Sequence, residues 1–172
     1  MGELFTLTPD ILNLARTAFS DLIEEMGKNC ELVFISDSPC DNCGYDEMMG
    51  RGSIYNGTGP MPFTQGVCPR CGGTGTTHEQ TVRTIKMAVN KEIKSFFGKI
   101  PNVRIPDGSI QTRGYIKDLP DVLKCDHMIC QVELKPYIVE TYKLFGTPTD
   151  KSNIVQNAFF YATWERYENG MK

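Results

Sequence analysis

The sequence predicts a mainly β (α+β) protein: an N-terminal helix, then a small antiparallel β-barrel or sandwich carrying a zinc-binding loop insertion. Three observations predict it. Apolar residues recur at helical spacing in the stretch before Gly27. Beyond it, short runs of strand-forming residues recur between turn signals. Two Cys-x-x-Cys pairs, Cys40 with Cys43 and Cys68 with Cys71, bracket a stretch rich in Gly, Pro, Met and Asn. The expected division is 1–38 for the helix and first strand, 39–75 for a zinc-ribbon-like insert, and 76–172 for the rest of the β-domain.

The helix starts at Thr8-Pro9-Asp10, with Thr8 as N-cap, Pro9 at the first helical position and Asp10 complementing the dipole. Ile11, Leu14, Ala15, Ala18, Leu22 and Met26 supply its apolar stripe, and Gly27 ends it. Such a helix either packs on the sheet or docks on a neighbouring subunit. Residues 31–36 read as the first strand, through Leu32, Val33, Phe34 and Ile35. Cys30 before it reads as a small buried hydrophobe.

The paired cysteines come next. Two intervening residues let one tight turn aim both sulfurs at one metal. Gly44 and Gly72 follow the second cysteine of each pair and permit a left-handed turn there. Amides in that turn then offset the charge on sulfur. Four thiolates suit one tetrahedral Zn²⁺ with no open position, hence a structural ion. Redox-active Cys-x-x-Cys chemistry and two disulfides are the alternatives. The first usually opens a helix, and neither pair precedes a helical pattern. Residues 45–67 show no periodicity and read as a long loop holding Met48, Met49, Arg51, Tyr55, Met61, Pro62 and Phe63. These apolar residues pack on the main domain or meet a partner protein; nucleic-acid contact is the weaker alternative, since Arg51 and Arg70 are the only basic residues from Pro39 to Gly75. In this reading the metal closes the neck of a β-loop and keeps the flanking strands in register.

From Thr76 the chain returns to strand, through Thr81, Val82, Thr84, Ile85, Met87 and Val89. Residues 90–98 read as strand or a short helix. Residues 103–105 and 109–117 flank Pro106-Asp107-Gly108 as a hairpin, with Gly114 marking a bulge or a bend of a small barrel. Asp118-Leu119-Pro120-Asp121 reads as a turn. Residues 128–134 and 137–144 form a strand pair around Lys135-Pro136. Residues 146–153 are a polar loop, and 154–167 a long last strand with Phe159, Phe160, Tyr161, Trp164 and Tyr167.

Charge narrows the function classes. With 18 basic and 21 acidic residues the net charge is −3, which argues against sequence-independent nucleic-acid binding through a basic stripe. No apolar run reaches transmembrane length, and residues 1–9, without a basic region followed by an apolar stretch, are not expected to act as a secretory signal. The expected setting is a reducing cytoplasm, where metal-bound thiolates persist. No catalytic constellation emerges, and the chain is not expected to be an enzyme. His78 lies beyond the cysteine pairs as a spare ligand. Cys125-Asp126-His127 reads as a strand entry rather than as a nucleophile with its base, or as a second metal site with Cys130. Walker, dinucleotide-glycine and Gly-x-Ser-x-Gly motifs are absent.

Two resemblances add to this. Cys68-Pro69-Arg70-Cys71-Gly72-Gly73-Thr74-Gly75 resembles one Cys-x-x-Cys-x-Gly-x-Gly repeat of the DnaJ-type co-chaperones. Cys40-Asp41-Asn42-Cys43-Gly44 lacks the last glycine, and no His-Pro-Asp occurs. This likeness implies zinc, not chaperone function. More broadly, the order of elements resembles head–tail connector (neck, head-closure) proteins of tailed bacteriophages. The matching stretches are residues 24–33 with the opening helix, 108–120, 124–129, 137–139 and 164–166. Cys125 replaces the glycine of a Gly-Asp-His-Ile strand entry, and the zinc insert departs from the simplest members. This resemblance implies a structural virion protein, assembled in the host bacterial cytoplasm, that forms a homo-oligomeric ring. It would join portal-side and tail proteins and let phage DNA pass without sequence-specific contact or any membrane. The competing expectation is a zinc-ribbon module that binds protein or nucleic acid.

Overall fold

The computed structural model describes residues 9–56, 67–91, 106–133, 138–149 and 158–167. Its elements, in chain order, are α1 (Pro9–Met26), β1 (Lys28–Pro39), β2 (Cys43–Asp46), β3 (Arg51–Tyr55) and β4 (Thr76–Asn90). Then come β5 (Ile110–Tyr115), a 3-10 turn (Ile116–Asp118), α2 (Leu119–Lys124), β6 (His127–Glu133), β7 (Ile138–Thr149) and β8 (Phe159–Arg166). The chain divides into two compact units, residues 35–81 and the rest. The smaller unit exceeds the expected 39–75 by the outer ends of β1 and β4.

In the larger unit six strands close an antiparallel barrel in the order β1-β4-β5-β8-β7-β6. This is the mainly β barrel with an N-terminal helix that the sequence predicts. The closing seam pairs β1 with β6, from Cys30 opposite Cys130 to Val33 opposite His127. Alternation fills the interior: Phe160, Ala162 and Trp164 point inward from β8 and meet Leu32, Met87, Ile110, Met128 and Tyr142. Trp164 is fully buried, and its Nε1–H donates to Thr112 Oγ1 at 2.8 Å. That bond satisfies a polar group that would otherwise cost stability in the core.

β5 shows no polar alternation because both its faces are covered. One faces the interior. Arg113 and Tyr115 on the other meet α1, whose Ala15, Phe19 and Ile23 pack around Phe159. The Arg113 guanidinium lies 4.1 Å from the Phe19 ring centroid and 4.5 Å from that of Tyr161. Burial lowers its pKa. Ser20 and Glu24 both hydrogen-bond the Tyr115 hydroxyl, at 2.9 Å each. The packed stripe therefore runs through Ala15, Phe19 and Ile23, sharing Ala15 with the expected one and then turning one residue round from it. Ile11, Leu14 and Met26 are exposed. Thr8 lies outside the described residues.

Other departures have local causes. Gly114 is no bulge: it pairs in regular register with Phe160, whose ring would lie 2.6 Å from an added Cβ. The expected turn at 118–121 becomes α2. Pro120 sits in its first turn, Val122 is buried, and Arg83 forms ion pairs with Asp118 and Asp121. β7 runs into the expected polar loop as far as Thr149, past a register shift between Phe145 and Thr149 that absorbs Gly146. The expected strands at 103–105 and the start of the last strand, 154–157, lie outside the described residues, as do most of 90–98 and residues 134–137.

In the smaller unit the expected loop contains an antiparallel hairpin, β2 with β3. The Asp46 carboxylate turns its corner by accepting the Met48 and Met49 amides at 2.9 and 3.2 Å. Met61, Pro62 and Phe63 lie outside the described residues. Among the described residues no helix is long and apolar enough to cross a membrane.

Candidate metal centre

The four cysteines come from two loops. Cys40 follows the end of β1 and Cys43 opens β2, while Cys68 and Cys71 lie in the turn before β4. Backbone bonds lock the loops together: Cys40 N–H to Gly75 O at 2.9 Å, Cys68 N–H to Gly52 O at 3.1 Å, and Gly52 N–H to Gly73 O at 2.7 Å. The sulfurs converge. Cys40 and Cys68 lie 3.9 Å apart, Cys43 and Cys71 3.5 Å, and all four sulfurs fall within 4.8 Å of one another. Among the described residues these four are the side chains placed to share one metal ion. Three are buried and Cys71 is partly so.

The electrostatics already favour thiolate on one loop. Burial opposes charge on Cys68, yet the Cys71 amide, the Asn42 side chain and the Arg70 amide outweigh it and hold its pKa down at about 6. Cys71 is lowered too, against burial, chiefly by the Gly75 N–H, which donates to its sulfur at 3.3 Å. Burial and neighbouring thiols push Cys43 up. Amide donors to sulfur thus appear where the glycine-rich turn was expected to supply them. Gly72 does turn left-handed, at φ +62°. Gly44 does not; it belongs to β2.

Sequence reasoning missed two residues of this centre. Asn42 is fully buried between the paired cysteines, and its Nδ2–H donates to Cys68 Sγ at 3.3 Å. Gly52 brings β3 so close that an added Cβ would stand 2.7 Å from Cys43 Sγ and 3.1 Å from the Gly75 backbone. Nothing in the sequence marks either one, because both roles depend on a neighbour brought in by folding. At the rim Arg70 pairs with Asp41 at 2.8 Å across the two loops, both side chains about half exposed.

The other candidates lie elsewhere. His78 Nδ1 meets Asp37 at 2.6 Å on the exposed part of the β1–β4 ladder and takes no part in the cluster. Cys125 caps α2, and its sulfur bonds Val122 O at 3.2 Å. Burial pushes its pKa up to about 11, away from the thiolate a nucleophile needs. His127 opens β6 opposite Val33, and the Asp126 N–H bonds Val33 O, as in a strand entry. Cys130 lies in the barrel core, opposite Cys30. Comparison with known protein families, with curated proteins and with solved structures gives no match to this chain.

Proposed function

We propose that the cysteine cluster holds a structural Zn²⁺ and that the protein is a non-enzymatic assembly component, a ring-forming connector at the head–tail junction of a tailed phage. The observation that carries the metal is the sulfur geometry. A tetrahedron with Zn–S bonds of about 2.3 Å has sulfur–sulfur edges of roughly 3.8 Å; two of the six separations, 3.5 and 3.9 Å, bracket that value, and all lie within 4.8 Å. Four cysteines complete the coordination, so the ion anchors rather than reacts. The connector role rests on the resemblance of the element order, and an N-terminal helix on a closed six-stranded barrel suits it. In that role the protein would contact portal-side and tail proteins within the virion.

A second reading, a zinc-ribbon module that binds a protein partner, is supported by the exposed apolar side chains of the hairpin. Met48 is 98% exposed, and Tyr45, Met49 and Ile54 are more than half exposed. Native mass spectrometry with zinc analysis, before and after a chelator, tests both. One zinc per chain with ring-sized species that chelation dissociates favours the connector. A zinc-bearing monomer that captures a partner through the hairpin favours the module, and a chain that binds no zinc sinks both.

A further inference from the structure

The barrel's closing seam carries a second pair of sulfurs with no part in the metal centre. Cys30 on β1 and Cys130 on β6 are directly opposed in register. Both are essentially buried, at 0% and 1% exposure. Their sulfurs lie 3.4 Å apart, with the Cys30 thiol directed at Cys130 Sγ. Directly opposed residues of an antiparallel pair have Cα atoms about 4.5 or 5.5 Å apart, and both spacings fall inside the range a disulfide spans. Leu32, Met128 and Tyr142 belong to the same core cluster, so the thiols have little room to turn away from each other.

We propose that Cys30 and Cys130 are a site of two-electron oxidation, forming a cross-strand disulfide that locks the β1–β6 seam when the protein meets a small peroxide oxidant. Hydrogen peroxide is compact and uncharged, and local opening of the seam would admit it to the buried sulfurs. One thiol, as its thiolate, attacks a peroxide oxygen. The O–O bond breaks, hydroxide leaves and takes up the thiol proton as water, and a sulfenic acid remains. The second sulfur then attacks the sulfenic sulfur, the S–S bond forms, and a second water departs. Two thiols and one peroxide thus give one disulfide and two waters. Cys130 is the better first attacker, because the Cys30 thiol donates to it and stabilises its charge. The bond would close a loop from residue 30 to residue 130, joining the first barrel strand to one far along the chain. Cross-links over long loops constrain the unfolded chain most.

Peroxide titration of the metal-loaded protein tests this, followed by proteolysis without reduction and mass mapping. The expected result is a peptide pair linked through Cys30 and Cys130. It should come with a rise in thermal midpoint on the order of 10 °C that a thiol reductant reverses and that Cys130→Ser abolishes. Should Cys130→Ser fail to fold, the mapping on the unmodified chain still decides. Oxidation confined to Cys40, Cys43, Cys68 and Cys71, with Cys30 and Cys130 both alkylated as free thiols after denaturation, would overturn the proposal.

Discussion

The side chains placed to share a metal ion were legible and those that shape their surroundings were not. Spacing identifies Cys40, Cys43, Cys68 and Cys71, because ligand geometry demands paired sulfurs within one turn. Asn42 and Gly52 carry no such mark. The Asn42 side-chain amide donates to a ligand sulfur, so Asn42→Ala should weaken metal affinity by about 10- to 100-fold, as changes behind a ligand commonly do. Competition with a chromophoric chelator reads this directly, and unchanged affinity would remove Asn42 from the centre. The same logic governs Gly114 in the barrel. Its missing side chain is occupied by the Phe160 ring and approached by Met87. Gly114→Ala should therefore cost about 1–3 kcal/mol through overpacking, measured by urea unfolding. The sequence suggests a bulge there because an interior strand glycine usually bends a strand. The actual cause, an aromatic ring from β8, lies 46 positions further along the chain (160 − 114).

At the scale of elements, strands with strong apolar alternation were readable and short polar ones were not. β8 announces itself through Phe160, Ala162 and Trp164. β2 and β3 are 4 and 5 residues long and take their order from the cysteine loops, so periodicity had nothing to register. α2, at 6 residues, is too short for a helical period and is held by Arg83 and the burial of Val122. α1 was readable as a helix, but its contact face only in part. The expected stripe of Ile11, Leu14, Ala15, Ala18, Leu22 and Met26 shares Ala15 with the packed face, which otherwise takes up the ring of Phe19 and the buried Ile23. This sets up a contrast along one helix. Ile23→Ala should destabilise by about 3 kcal/mol, the cost of a core truncation. Leu14→Ala, at a site 71% exposed, should stay within about 0.5 kcal/mol of the parent. Equal losses at both positions would mean that the N-terminal half of α1 packs too.

For the whole molecule, the two compact units bury different things. The barrel unit closes on an apolar interior that includes Trp164 and Tyr142. Among the described residues of the unit at 35–81 the buried cluster is Cys40, Cys43 and Cys68, with Cys71 packed against them. Among its described residues the sulfurs are the buried cluster, so the proposed ion would hold this unit together, and binding energies of such sites are on the order of 10 kcal/mol. Removing the ion should therefore unfold residues 35–81 while the barrel persists. The chain carries a reporter for the difference, since it has one tryptophan, Trp164, fully buried in the barrel. On chelation, or in Cys71→Ser, Trp164 emission should stay blue-shifted while amides at 43–55 lose protection from hydrogen exchange. If emission shifts to that of a solvated indole, the metal supports the barrel as well, and β1 and β4 must depend on the cysteine loops for their pairing. If protection at 43–55 survives chelation, the hairpin folds on its own backbone bonds and the ion serves something other than stability.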